Sequence, residues 1–182
     1  MNIPSITTPR ALLREFNESD LEILHGIISV RAVLRYFPSD DMPSIDQVRR
    51  LIERHHSHWM EHGYGWWALA LAQEQKLIGW CGLNLLPETN EVELKYLLSE
   101  DHWGKGLATE AARVSLRYGF EQAELEQIIG IVHPENIASR RVLEKVGMAF
   151  LDRTHYFGME CYRYIIDKDS YTTINRGNSL PG

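Results

Sequence analysis

Trp103-Gly104-Lys105-Gly106-Leu107-Ala108-Thr109-Glu110 decides how this chain is read, because two glycines and a small residue run straight into a long amphipathic helix. Ordinary side chains would hold a bound phosphate away from the backbone amides, whereas Gly104 and Gly106 let the main chain approach closely and take unusual dihedrals. The unpaired N–H groups of the first helical turn and the positive end of the helix dipole then face the anion. The bland reading of the same residues is a glycine turn that starts a helix. The preceding residues 91–98 weigh against it, since they alternate polar and apolar before ending on Leu97-Leu98, as a strand entering a core does. The loop is neither common nucleotide motif: it lacks a Gly-Lys-Ser/Thr ending, and the third glycine of G-x-G-x-x-G falls on Thr109.

Upstream, residues 10–16 read as a first strand, and Ser19-Asp20-Leu21-Glu22 as a capping box for a short helix carrying Leu21, Leu24, Ile27 and Ile28. Ser44-Ile45-Asp46-Gln47 opens a second helix with Val48, Leu51, Ile52, His55 and Trp59 on one face, ending near Gly63. Residues 31–43, between the two, lack periodicity and read as a loop. Strands are predicted over 66–72 and 76–86, with a turn at 87–90 leading into the strand 91–98. Downstream, the helix 107–122 aligns Leu107, Ala111, Val114 and Tyr118 on one stripe, and sets Glu110, Arg113, Arg117 and Glu121 at pairing distance on another. A strand over 127–132, a helix over 134–146 stopped by Gly147, and a hairpin of 148–157 with 159–167 complete the pattern. This order predicts one α/β domain over 8–167, a mixed sheet with helices on both faces, followed by a polar, frayed tail over 168–182.

With 182 residues, 44% apolar, the chain has enough length and core material for one domain. A formal charge of −6 argues against nucleic acid as the main partner and suits a cationic substrate better. Residues 1–6 lack a charged-then-apolar leader and no run of 18 apolar residues occurs, so the expectation is a soluble cytoplasmic protein without a membrane partner. Cys81 and Cys161 are too few for a disulfide framework, and without a Cys–His signature they read as small core residues rather than a catalytic thiol. His55, His58 and His62 lie near one helix face, but no carboxylate or thiol motif completes a zinc site, and no metal is expected.

The run from Trp103 to Ala112, followed further on by Asn136-Ile137-Ala138-Ser139-Arg140-Arg141-Val142-Leu143-Glu144-Lys145-Val146-Gly147-Met148, resembles the GNAT N-acetyltransferase superfamily. Within it, the chain resembles the branch of ribosomal-protein N-terminal alanine or serine acetyltransferases, whose first strand is similar to Thr8-Pro9-Arg10-Ala11-Leu12-Leu13-Arg14-Glu15-Phe16. The likeness spans 8–167. It implies a mostly antiparallel sheet flanked by helices, in which the strands before and after the glycine-loop helix splay apart and admit the pantetheine arm of acetyl-CoA.

The resemblance also implies roles. The pyrophosphate of acetyl-CoA would take the amides of Gly104, Lys105, Gly106, Ala108 and Thr109. Trp103 stands where the superfamily at large has Gln or Arg, a departure usual in the resembled branch. Asn136 reads either as an N-cap or as a pantetheine contact. Ser139, one turn further on, is a candidate to protonate the departing thiolate or else bonds back to the helix backbone. Leu143 occupies the position of a tyrosine that many members use for that protonation, and cannot replace it. Arg140 and Arg141 would meet the outer phosphate or favour the helix C-terminal half. An amine attacks only when unprotonated, so a base is required, and Glu93 matches the strand acid of the branch, with Glu91 in reserve on the same strand face. The other reading makes both exposed carboxylates paired with cations. A strand amide at Leu97 or Leu98, the latter counted among the acetyl-CoA contacts, would hold the developing oxyanion.

The function implied is transfer of the acetyl group of acetyl-CoA to a primary amine, a protein N-terminus or a small molecule, by direct attack in a ternary complex and without a metal. Polyamine, amino acid and aminoglycoside acceptors stay open. So does a non-catalytic acyl-CoA-binding module, which would keep Gly104, Gly106 and Asn136 but dispense with Glu93 and Ser139. Both a monomer and a homodimer are compatible with the sequence.

Overall fold

In the computed structural model, which describes residues 2–39, 41–156 and 158–177, the most apolar runs of the sequence become the centre of one sheet. β1 (Ile6–Thr7), β2 (Ala11–Arg14), β3 (Trp66–Leu71), β4 (Leu77–Leu86) and β5 (Glu91–Leu98) form an antiparallel meander. The chain then crosses through α4 (Leu107–Glu121) to β6 (Gln127–Val132), which runs parallel to β5. The hairpin of β7 (Ala149–Tyr156) and β8 (Met159–Asp167) closes the order β1-β2-β3-β4-β5-β6-β8-β7. The predicted mixed, mostly antiparallel sheet is therefore observed, with the two-residue β1 added at its edge.

Side-chain alternation gives the sheet two apolar faces. On one, α1 (Asp20–Ile28), α2 (Arg31–Leu34) and α3 (Ile45–His62) bury Leu24, Ile27, Ile28, Val33 and Val48 against Trp66, Ala68, Leu77, Trp80 and Leu97. On the other, α4 and α5 (Ile137–Lys145) bury Leu107, Ala111, Ala112, Leu116 and Leu143 against Leu13, Leu69, Ile78, Leu83 and Leu94. Each large side chain withdrawn in this way contributes about 1.5–3 kcal/mol.

The Ser44 box forms as predicted: Gln47 N donates to Ser44 Oγ at 3.3 Å, and Ser44 N donates to Gln47 Oε1 at 2.6 Å. The Ser19 box does not. Ser19 Oγ turns to Asn17 Oδ1 at 2.6 Å, and the buried Asp20 takes over the helix entry, accepting from Asn17 N at 2.8 Å and from Arg14 at 2.6 and 2.9 Å. A bidentate charged pair outcompetes a hydroxyl cap. The predicted loop 31–43 contains α2, since Val33 and Leu34 find apolar surface to bury. On α4, the charged residues pair off the helix: Glu110 with Arg10, Arg113 with the Lys145 carbonyl, Glu121 with the Tyr171 hydroxyl. The tail expected to fray from Lys168 instead forms α6 (Lys168–Gly177), started by Asp167 Oδ1 accepting from Ser170 N at 2.7 Å and anchored by Tyr171 stacked on Phe120 at 4.7 Å. The rest of that tail, 178–182, lies outside the described residues. Among the described residues no helix is long and apolar enough to cross a membrane.

Candidate active site

β5 and β6 pair in register at Glu93 and Ile129. Towards the C-terminal end of β5 the two strands part, and a cleft of about 750 Å³, measured out to its open mouth, fills the gap. Because side chains alternate along β5, Glu93 and Lys95 face the α1–α3 side while Leu94 and Tyr96 face α4 and α5. The cleft thus joins the two faces of the sheet. Glu93, Asn136 and Ser139, proposed from sequence in separate motifs, line it together. Tyr36 and Phe37 from the segment after α2, and Tyr156, Met159 and Cys161 from the terminal hairpin, form its other walls.

Glu93 is only 2% exposed, and its Oε2 has no hydrogen-bond partner among the described residues. Lys95 Nζ lies 3.6 Å away, outside hydrogen-bond reach but near enough to attract. Burial pushes the Glu93 pKa up, and Lys95 offsets that only in part. A buried carboxylate oxygen with nothing to accept from costs free energy and is poised to take a proton. Glu91 differs. Its carboxylate accepts from Arg163 Nη1 at 2.9 and 3.2 Å, within a network that includes Asp152, so it is committed to tying β5 to β8 across β6.

Across the cleft, Asn136 Oδ1 accepts from Ser139 N at 3.1 Å, which is the N-cap of α5. Ser139 Oγ is not turned back onto its helix; it lies 2.8 Å from the hydroxyl of Tyr96, which also donates to the Ser139 carbonyl at 3.0 Å. Tyr96 was missed by sequence reasoning. Its signal is a hydroxyl in the otherwise apolar end of β5, at an odd spacing from Glu93 and therefore on the opposite face. Burial raises its pKa, so the phenol keeps its proton at neutral pH. Leu143, 2% exposed, closes the same wall without offering a proton.

Beyond β5, Trp103 Nε1 donates to the Leu98 carbonyl at 2.8 Å and folds the glycine loop onto the strand end. Gly104 (φ +71°) and Gly106 (φ +79°) both sit in the left-handed region that favours glycine. Among the described residues, nothing beyond the two chain neighbours lies within 4 Å of where a Gly104 Cβ would stand, and no side chain caps α4 at Gly106. The first-turn amides of α4, including those of Ala108 and Thr109, have no i−4 partner within the helix and stand next to exposed Gly104 and Lys105. These features fit a pyrophosphate. Arg140 is drawn off to the Tyr164 hydroxyl at 3.2 Å and the Pro134 carbonyl at 3.3 Å, whereas Arg141 is exposed on α5 and does not line the cleft.

The remaining reactive side chains have structural surroundings. Burial pushes up the thiols of Cys81 and Cys161. His55 stacks on Trp66 at 3.4 Å, and burial lowers its pKa to about 3. His58 bridges the Tyr64 carbonyl at 2.8 Å and Leu85 N at 3.1 Å, fastening α3 to the sheet.

Comparison with known proteins places these features in a family. The family described as "Acetyltransferase (GNAT) domain" matches residues 10–149. The uncharacterised N-acetyltransferase YoaA of Bacillus subtilis is 30% identical over 145 residues, covering 79% of this chain and 82% of its own. The spermidine N(1)-acetyltransferase of Escherichia coli is 27% identical over 141 residues, covering 75% and 72%. The crystal structure of a GNAT-family acetyltransferase from Bacillus anthracis superposes with a TM-score of 0.79 at 27% identity, covering 91% of this chain and 99% of that one.

Proposed function

Since the chain belongs to the GNAT acetyltransferase family and is an N-acetyltransferase, we propose that it moves the acetyl group of acetyl-CoA to a primary amine by direct attack in the β5–β6 cleft, with a protein N-terminus as the acceptor. The observation that carries this reading is the buried Glu93 carboxylate, whose Oε2 accepts no hydrogen bond among the described residues, lining the same cleft as Ser139 and Tyr96. An incoming ammonium must lose a proton before it can attack, and Glu93, its pKa raised by burial, is a stronger base than an exposed carboxylate. On the other wall, the Ser139 hydroxyl, held 2.8 Å from that of Tyr96, supplies a proton to the departing thiolate and regains one from solvent.

Acetyl-CoA brings a thioester already activated for transfer. The loop amides of Gly104, Lys105, Gly106, Ala108 and Thr109 would hold its pyrophosphate, Asn136 its pantetheine arm, Leu98 the region of the thioester, and Arg141 its outer phosphate. Juxtaposing donor and acceptor supplies much of the rate advantage, so no acyl-enzyme is needed. We read the protein as cytoplasmic, metal-independent, and a monomer or homodimer.

The acceptor wall supports a single amine on a peptide-like body. Glu93 is the one carboxylate among the described lining residues, Lys95 offsets its charge, and Tyr36, Phe37 and Tyr156 line the same cleft. The relationship to a spermidine acetyltransferase favours a second reading, in which the acceptor is a polyamine. Thiol release from acetyl-CoA, measured against N-terminal peptides and polyamines, separates the two. Peptide turnover above polyamine turnover is expected, and the reverse order overturns the choice of acceptor.

A further inference from the structure

We propose that Arg10 is a positioning residue for the acyl donor, holding the glycine loop so that the Gly106 amide faces the pyrophosphate; this rests on the reading of the loop as an anion cradle. Arg10 precedes β2 and is distant in sequence from the loop, yet its Nη1 donates to the Lys105 carbonyl at 2.7 Å. The rest of the guanidinium is fixed by Glu110 in the first turn of α4: Nε reaches Oε2 at 2.7 Å, Nη2 the same oxygen at 2.6 Å, and the Arg10 backbone N–H reaches Oε1 at 3.1 Å. A Cβ on Gly106 would stand 3.3 Å from Nη2, so the guanidinium lies directly against that residue.

In a trans peptide the C=O and N–H groups point in opposite directions. Fastening the Lys105 carbonyl to Arg10 therefore aims the Gly106 N–H away from Arg10. A peptide between a lysine and a glycine, in a segment with two positive-φ glycines, has no intrinsic preference for that orientation. Arg10 supplies one. Its side chain is 54% exposed, so it adds little to the core, and four bonds on a half-exposed arginine are better explained by what they orient.

The test compares two donors in the full-length enzyme. S-acetylpantetheine ends short of the pyrophosphate, whereas acetyl-CoA carries it. Arg10→Ala is expected to raise the KM for acetyl-CoA and the calorimetric Kd for CoA by about tenfold, the order of one charge-assisted hydrogen bond, while kcat and the S-acetylpantetheine kcat/KM change by less than about twofold. Arg10→Lys, which can still reach the Lys105 carbonyl, should recover part of the loss. Equal losses with both donors would make Arg10 a general prop, and an unchanged KM for acetyl-CoA would remove it from donor binding; either overturns the proposal. Gly106→Val, measured alongside, keeps the two ideas apart. If it weakens CoA and Arg10→Ala does not, only the role of Arg10 fails; if neither weakens CoA, the cradle itself fails.

Discussion

Glu93→Gln keeps the shape of the side chain and removes its charge, so it isolates the proton transfer. General bases contribute roughly 10²- to 10⁴-fold, and the lower end applies where part of the amine is already free: for an α-amino group with a pKa near 8, about a tenth is unprotonated at pH 7. The expected loss in kcat/KM at neutral pH is therefore about 10²-fold, or about 2.7 kcal/mol. Profiles of kcat/KM against pH, at saturating acetyl-CoA, should show the loss shrinking above about pH 8 for an N-terminal acceptor and only near pH 10 for an alkyl amine. The wild-type acid limb should sit above the ordinary carboxylate value of 4.5 and vanish in the variant. Stability provides the control. A carboxyl whose pKa is raised on folding binds its proton more tightly in the folded state, so its contribution is fully present below pH 4.5 and lost as pH rises through the folded value. Glu93→Gln removes that loss and should melt no lower than the wild type at pH 8, even though its activity is reduced. A pH-independent deficit would reassign Glu93 to substrate positioning, and an unchanged rate would refute the reasoning. A pH-dependent deficit in Glu91→Gln, whose carboxylate is bound to Arg163, would mean that the wrong acid was chosen.

Gly106→Val should weaken CoA by at least about tenfold in calorimetry, because a β-branched residue is strained at φ +79° and its side chain crowds the amides. Ser139→Ala should lower kcat by about tenfold while leaving the CoA Kd nearly unchanged, and Tyr96→Phe should shift kcat in the same direction. Ser44→Ala removes the cap of α3 and should cost about 0.5–2 kcal/mol, seen as a fall in Tm of about 2–4 °C per kcal/mol. His55 is held neutral by burial, with its pKa lowered from 6.5 to about 3, so the unfolded chain binds its proton first and stability is lost as pH falls through that window. His55→Phe should flatten the decline in Tm between those pH values.

Local rules carried the reading furthest where a single segment contained both the pattern and its consequence. The alternation of 91–98, the glycines that follow and the stripe on 107–122 yielded β5, the loop and α4, and the Ser44 box was equally local. Failures came where a distant partner decided. Ser19 lost its cap because Arg14 claims Asp20, and the tail became α6 because Tyr171 finds Phe120. Within the site, Glu91 and Glu93 share a strand face, so periodicity alone leaves them equivalent. What separates them is that β6 pairs at Glu93 before leaving, and that Arg163 from β8 reaches Glu91. Tyr96 and Arg10 escaped for the same reason: their partners, Ser139 and Lys105, are 43 and 95 positions away in the chain.

The central claim is that acetyl passes directly from thioester to amine within one cleft. Initial velocities with both substrates varied, together with the intact mass of the enzyme during turnover, test it most directly. Intersecting double-reciprocal lines and an unmodified enzyme mass are expected, since both substrates must be bound together and the buried Cys161 thiol in the cleft is held protonated. Parallel lines with an enzyme heavier by one acetyl group would contradict the account and transfer the chemistry to an acyl-enzyme.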